Sequence, residues 1–263
     1  MDIRKDSIDS GNAFDWGKAS YDYAKYRDIY PDLIYKTLLD NKIGVNGQRI
    51  LDIGTGTGVL PRNMYKFGAS WVGADISDNQ IAQAKEMSAA ADTKIDYCVS
   101  SAEDLPFEDN SFDVITAFQC YWYFDHSVTA PLFSKLLKSG GKVLLLLMNW
   151  LPHEDDIASK SEELVLKYNP EWSGAGETFH PLRLPDEYLE YFDIQNADEF
   201  RLPVHFTRES WNGRIKACRG IGASSLTDEQ KAQWEEEHLK MLSGCPQEFD
   251  IAHYAAYVIL KKK

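Results

Sequence analysis

Apolar residues along the chain change their spacing near residue 48 and again after Trp150, and the changes divide the sequence into stretches of different character. Residues 1–47 are polar and aromatic. Phe14, Trp16, Tyr21, Tyr23, Tyr26 and Tyr30 lead to Pro31, and Leu33, Ile34, Thr37 and Leu38 repeat at helical intervals, which predicts a helical lid. From Arg49 onward short apolar runs alternate with helical patterns: Arg49 to Ile53, Trp71 to Asp75, Ile95 to Val99, Phe112 to Phe118 and Lys142 to Met148. Runs of strand length separated by helices predict βαβ units and a parallel sheet. Ser77 and Gln80 have capping-box spacing, and Gly68 and Gly140 are placed to end the helices before the second and fifth strands.

After Trp150 the periodicity loosens around Trp172, Gly174, Gly176, Phe179 and His180, as expected of a cap or substrate loop over residues 151–192. Residues 193–263 then complete the sheet. A strand near Glu199 to Phe206 precedes a helix opened by Thr207, a second capping box at Thr227 and Gln230 opens another helix, and Phe249 to Leu260 forms a final, antiparallel strand. The expected fold is α/β and doubly wound: seven mainly parallel strands in a core over residues 48–150 and the C-terminal stretch, with a helical cap, all in one domain.

Charge narrows the partners. Lys and Arg total 28 against 41 for Asp and Glu, a net charge of −13 that opposes nucleic-acid binding. The four cysteines form no CxxC pair, so no metal is expected and reduced thiols in a cytoplasm fit best. Met1 to Ser10 lacks the apolar core of a signal peptide, and Val143 to Met148, the longest purely apolar run, is far too short to span a bilayer. The partner expected is a small molecule; oligomeric state is not legible.

The chemistry concentrates where the first strand ends, in Leu51-Asp52-Ile53-Gly54-Thr55-Gly56-Thr57-Gly58. A glycine turn between strand and helix tolerates unusual backbone angles and lets a ligand lie against the main chain. Asp75 closes the second strand 21 residues after Gly54, where a carboxylate can bind both hydroxyls of a ribose. Ser101, Ala102 and Glu103 follow the third strand, and all three elements fall on the carboxyl edge of the sheet. A nicotinamide oxidoreductase is one alternative, but Val59 stands where its GxGxxG turn wants Gly or Ala, and Asp52 would repel a pyrophosphate. A non-catalytic binding protein is the other.

In these motifs, across residues 45–150, the chain resembles the class I S-adenosylmethionine-dependent methyltransferases. Ala102 to Phe107 and Asn110 to Asp113 are similar to the branch with quinone-biosynthesis and trans-aconitate methyltransferases. The resemblance implies S-adenosylmethionine as donor and S-adenosylhomocysteine as product. It implies that Asp52, Gly54, Thr55, Gly56 and Gly58 pack on the methionine part, that Asp75 with Ile76 holds the ribose, and that Ser101, Ala102 and Glu103 frame the adenine. Tyr21, Tyr26 and Arg27 resemble lid residues that fold over the donor. Gln119 and Tyr121 stand in the run that follows the fourth strand, where Trp122 occupies the place of a histidine in the branch.

Methyl transfer is a direct displacement that alignment alone can drive, so no catalytic triad is required. If a base is needed, His126, His153, His180 and His205 are candidates, His180 being preferred for its place in the Gly-rich cap. Trp211, Ile215 and Arg219 recur every four residues on the helix after Thr207. Arg219 then has two readings: an internal acid or helix-end partner, or a seat for an anionic group on the acceptor.

Overall fold

A computed structural model describes residues 3–263; the first two residues of the expected lid lie outside it. In chain order the elements are α1 (Ser20–Tyr26), α2 (Asp32–Asp40), β1 (Arg49–Ile53), α3 (Val59–Met64), β2 (Ser70–Asp75), α4 (Asp78–Ala90), β3 (Asp96–Val99), β4 (Phe112–Phe118), α5 (His126–Leu136), β5 (Leu137–Trp150), α6 (Asp156–Tyr168), α7 (Tyr188–Tyr191), β6 (Phe192–Thr207), α8 (Arg208–Lys216), α9 (Asp228–Ser243) and β7 (Glu248–Lys262). The seven strands form one sheet in the order β3-β2-β1-β4-β5-β7-β6. β1 through β5 are parallel, and the antiparallel β7 inserts between β5 and β6. The expected seven-stranded, doubly wound α/β fold with an antiparallel last strand is the observed one.

Burial explains why these segments became strands. Ile50, Leu51 and Ile53 of β1, Val114, Ile115 and Ala117 of β4, and Val143 to Met148 of β5 are buried almost without interruption. Unbroken apolar runs are what strands covered on both faces require. α2 is amphipathic: Ile34 and Leu38 are buried while Leu33 stays exposed.

Local signals held at most helix starts. Ser77 Oγ accepts from Gln80 N, and Thr227 and Gln230 form the full capping box of α9. Thr207 caps α8 in a box with Ser210. Gly140 departs from expectation. α5 ends at Leu136, so Gly140 closes no helix; it sits inside β5 with φ +72°. Between the Phe112–Leu137 and Val114–Lys142 pairs, four residues of β5 (138–141) face one of β4 (Asp113), and a left-handed glycine lets the surplus chain bulge out.

Two compact units divide the chain. One comprises Tyr30–Met148, His180–Phe200 and Ala255–Lys263; the other comprises Asn149–Phe179, Arg201–Tyr254 and the described residues up to Ile29. No helix among the described residues is long and apolar enough to cross a membrane.

Candidate active site

The turn after β1 is built around two carboxyl groups. Asp52, buried in β1, accepts hydrogen bonds from Thr55 Oγ1 at 2.7 Å and Thr116 Oγ1 at 2.6 Å. Loss of water raises its pKa to about 7, with Asp75 adding to the rise and the two hydroxyls opposing it. Asp75, ending β2, accepts from Gly56 N at 2.8 Å and Ser77 N at 2.9 Å, so both of its oxygens are fixed by backbone. Desolvation raises its pKa too, against the pull of those two N–H groups.

The glycines do different work. Gly54, Gly56 and Gly58 all have positive φ, at +63°, +55° and +75°. At Gly54 a Cβ would lie 2.6 Å from Cys120 Sγ, and at Gly58 it would strike the Tyr97 hydroxyl. Those two glycines make room for protein side chains. Tyr97 reaches across the turn because its hydroxyl pairs with Ser88 at 2.9 Å and its ring also lies against Gly73.

Beyond the turn, Ser100 N donates to Asp75 O, which brings the Ser101–Glu103 segment to the end of β2. Ala102 is buried, and Glu103 Oε1 accepts from Asp125 N at 2.9 Å, tying the segment to the start of α5. Gln119 leaves β4 with φ +61°, a left-handed angle uncommon outside glycine, and its side-chain amide donates to the Met148 carbonyl near the end of β5. Cys120 Sγ donates to Ile53 O at 3.1 Å, and burial beside Asp52 and Asp75 holds its thiol well above the usual range. Tyr121 is buried beside Trp122. These positions, with Asp52, the glycine turn and Asp75, share one unit and one sheet edge.

The lid residues belong to the other unit. Tyr21 is 74% exposed. Tyr26 donates its hydroxyl to Glu209 at 3.1 Å and packs where Gly213 of α8 leaves room for its ring. The Arg27 guanidinium lies over Tyr23, 4.7 Å from the ring centre.

The expected α8 face ends short of Arg219. The helix stops at Lys216, and turns through Cys218 and Ile221 carry Arg219 off it, so the four-residue repeat is broken before its third member. Arg219 instead pairs with Asp9 at 2.6 Å, both side chains nearly buried, and Asp9 also accepts from Ser173 N and Oγ. The internal acid is the partner present.

Of the histidines, His180 Nδ1 lies 2.7 Å from Pro181 O, His126 rests against Tyr188, and His205 is exposed beside Asp250. The buried His238 and His253, absent from the candidates, are held neutral by burial, with pKa values lowered to about 4 and about 3. His238 bridges Asn212 and Ser161 at 2.7 and 3.0 Å, joining α6, α8 and α9. A lone histidine in a helical pattern gives no sign of such a bridge. Among the described residues no group of His, Cys, Asp or Glu is arranged to hold a metal ion.

Comparison with known proteins agrees with this geometry. Residues 51–145 match the family model described as a methyltransferase domain. The chain is 28% identical over 170 residues to a ubiquinone biosynthesis O-methyltransferase of Bartonella bacilliformis, covering 63% of this chain and 67% of that one. A protein of the same description from Brucella ovis is 29% identical over 175 residues, covering 64% and 68%. Among solved structures, the YcgJ protein of Bacillus subtilis superposes with a TM-score of 0.53 at 19% identity, over 86% of this chain and 97% of that one. Fold, domain match and relatives together support a methyltransferase acting on a small molecule. Its likeness is to the quinone-biosynthesis branch, and neither an oxidoreductase nor a non-catalytic binder is favoured.

Proposed function

We propose that the carboxyl edge of β1, β2 and β4 binds S-adenosylmethionine and that the methyl group passes to an oxygen of a small acceptor. The observation that carries the reading is Asp75: a carboxylate held at the end of β2 by two backbone N–H groups, against a glycine turn with three left-handed residues. The donor supplies a methyl group on a sulfonium. Asp52, Gly54, Thr55, Gly56 and Gly58 would underlie its methionine part, Asp75 and Ile76 would take the ribose hydroxyls, and Ser101, Ala102 and Glu103 would border the adenine. The turn fits such a ligand in one further respect. Thr57 Oγ1 is buried with no hydrogen-bond partner among the described residues, and a buried hydroxyl of that kind calls for one.

Gln119 closes the same edge between β4 and β5. Tyr21 and Tyr26 are left out of the donor set, since one ring faces solvent and the other hydroxyl is engaged by Glu209. Arg27, stacked on Tyr23, is left out with them. An oxygen acceptor is supported by the O-methyltransferase description of the relatives. Localisation in the cytoplasm belongs to the same proposal.

Titration calorimetry with S-adenosylmethionine, S-adenosylhomocysteine and NAD tests the donor. Asp75→Ala is expected to weaken binding of the first two by about 1.5 to 3 kcal/mol, the range for hydrogen bonds to a charged group, without unfolding the protein. Gly56→Val should do at least as much, because its side chain would stand in the turn. Unchanged affinity in both variants, or preference for NAD, would overturn the reading.

A further inference from the structure

At the amino edge of the sheet, a single side-chain amide ties three elements together. Asn196 of β6 donates to Asn41 Oδ1 at 3.0 Å and to the Tyr257 hydroxyl of β7 at 3.1 Å. Tyr257 is buried, and Asn41 is the residue that closes α2. From β5, Lys142 Nζ donates to the Asn41 carbonyl at 3.0 Å and adds a fourth element. Lys142 pairs in register with Val114 near the start of β4, so this frame lies at the opposite ends of the strands from the glycine turn. All of its residues belong to one compact unit, that of Tyr30–Met148, His180–Phe200 and Ala255–Lys263.

Two more lysines join the frame. Lys42 follows Asn41 directly, and Lys261 lies four residues beyond Tyr257, on the same face of β7. Partial burial, and then the charges of Lys42 and Lys261, lower the pKa of Lys142. Three ammonium groups therefore converge in a chain with 41 acids against 28 bases, and among the described residues none of the three is in an ion pair. Nearby acids are engaged elsewhere: Asp40 by Lys36 at 2.5 Å and Asp113 by Lys138 at 2.8 Å. Asp198 is exposed and acts on the Tyr257 hydroxyl. Like charges on neighbouring elements destabilise one another unless a counter-charge joins them. Lys42 carries a further cost, since its φ of +56° is the left-handed angle at which a helix commonly ends in glycine. A lysine in that place supplies a charge that the backbone does not ask for.

We infer that this edge binds a phosphoryl group, with Lys42, Lys142 and Lys261 as its counter-charges. A phosphate ester carries nearly two negative charges at neutral pH and offers three acceptor oxygens, enough for one contact to each lysine. Lysine meets phosphate as a point charge, whereas the planar, singly charged carboxylate is matched by the fork of an arginine, and the cluster has none. Lys142 uses one of its three N–H groups on Asn41 and keeps two to give. Asn196 and Tyr257 fix Asn41, and through it the anchors of Lys142 and Lys42, before any anion arrives, which lowers the cost of ordering the site. Occupancy here is independent of the donor proposed above, whose residues lie at the other ends of these strands.

Calorimetry on the full chain at fixed ionic strength tests the site, with inorganic phosphate, glycerol 3-phosphate and acetate as probes. Both phosphates should bind and acetate should not. Tighter binding of glycerol 3-phosphate would mark a phosphate ester as the occupant, and equal binding the free anion. Lys261→Gln and Lys42→Gly should each weaken phosphate binding about fivefold, the upper end for one partly exposed ion pair, and the double variant should weaken it further. Because glycine suits the left-handed angle, Lys42→Gly should keep or raise the melting temperature measured without phosphate while affinity falls. Lys160→Gln, an exposed change on α6, should leave binding as it is. Failure of both phosphates to bind, acetate binding as tightly, or variants at Lys42 and Lys261 that bind phosphate like wild type would overturn the site; the last result is the one expected if Lys142 only caps α2. A wild-type dimer that Lys261→Gln dissolves would overturn it as well, since the counter-charge would then come from a second copy of the chain.

Discussion

Asp52 in β1 and Asp75 at the end of β2 flank the same glycine turn, yet only Asp75 is held by main-chain N–H groups, and the difference has consequences for pH. Asp52 relies on two threonine hydroxyls, too little to offset the loss of water, and its pKa rises from 3.8 to about 7. The unfolded chain ionises this group near pH 4 while the folded chain keeps its proton to about pH 7. Folding therefore takes up a proton in that window. The associated stability is fully present below pH 4 and is lost as pH rises through 7. Asp52→Asn keeps the shape and cannot ionise, so its stability advantage over wild type should grow by roughly 3 kcal/mol between pH 5 and pH 8. Urea unfolding of the two proteins at both values checks it; parallel pH profiles would contradict the buried, protonated carboxyl. Gly58 carries a second prediction at this scale. Gly58→Ala adds a Cβ at φ +75° that strikes the Tyr97 hydroxyl, and it should cost about 1 to 3 kcal/mol. Tyr97→Phe removes the struck atom, so the double variant should be less destabilised than the sum of the singles, leaving the backbone strain behind.

At the scale of elements, the segment before α1 is tied down by one ion pair. Asp9 and Ser10 both take left-handed angles, Asp9 joins Arg219 and Ser173, and Ser10 donates to Glu171. Arg219→Gln strands the Asp9 carboxylate in a nearly buried place and should cost about 3 to 5 kcal/mol, with early protease cleavage near residues 3–14. Adding Asp9→Asn, which removes the stranded charge, should restore part of the loss. A variant as stable as wild type would show that the pair does not hold the segment. The strands and the glycine turn were legible because burial on two faces forces continuous apolar runs, and a strand-to-helix turn forces glycine. The Asp9–Arg219 pair was not, because 210 positions separate its members and nothing local marks either as the other's partner. The extent of α8 was misjudged for a related reason: a four-residue repeat continues through Arg219, while the turns at Cys218 and Ile221 are set by tertiary contacts.

On the scale of the whole molecule, the two compact units are interleaved in sequence, the chain passing from one to the other after Ile29, Met148, Phe179, Phe200 and Tyr254. Residues 51–145 match a methyltransferase domain, yet the sheet that carries them is finished by strands from far along the chain. β5 lies between β4 and β7, and Ala255 to Leu260 of β7 are as deeply buried as Val143 to Met148 of β5. A fragment of residues 30–148 would contain every donor-site position proposed here and still leave β5 as an edge. Its unpaired N–H and C=O groups would border a run of six apolar residues, the pattern that recruits other chains. The fragment is therefore expected to aggregate, or to remain without fixed tertiary structure, and not to bind S-adenosylhomocysteine. Supplying residues 180–263 as a second, co-expressed chain restores β6 and β7 and should recover soluble, ligand-binding material if the missing strand is the cause. Size-exclusion chromatography, near-ultraviolet circular dichroism and calorimetry on the fragment and the pair read out each step. A monomeric, ligand-binding 30–148 fragment would show that the first five strands fold without β7.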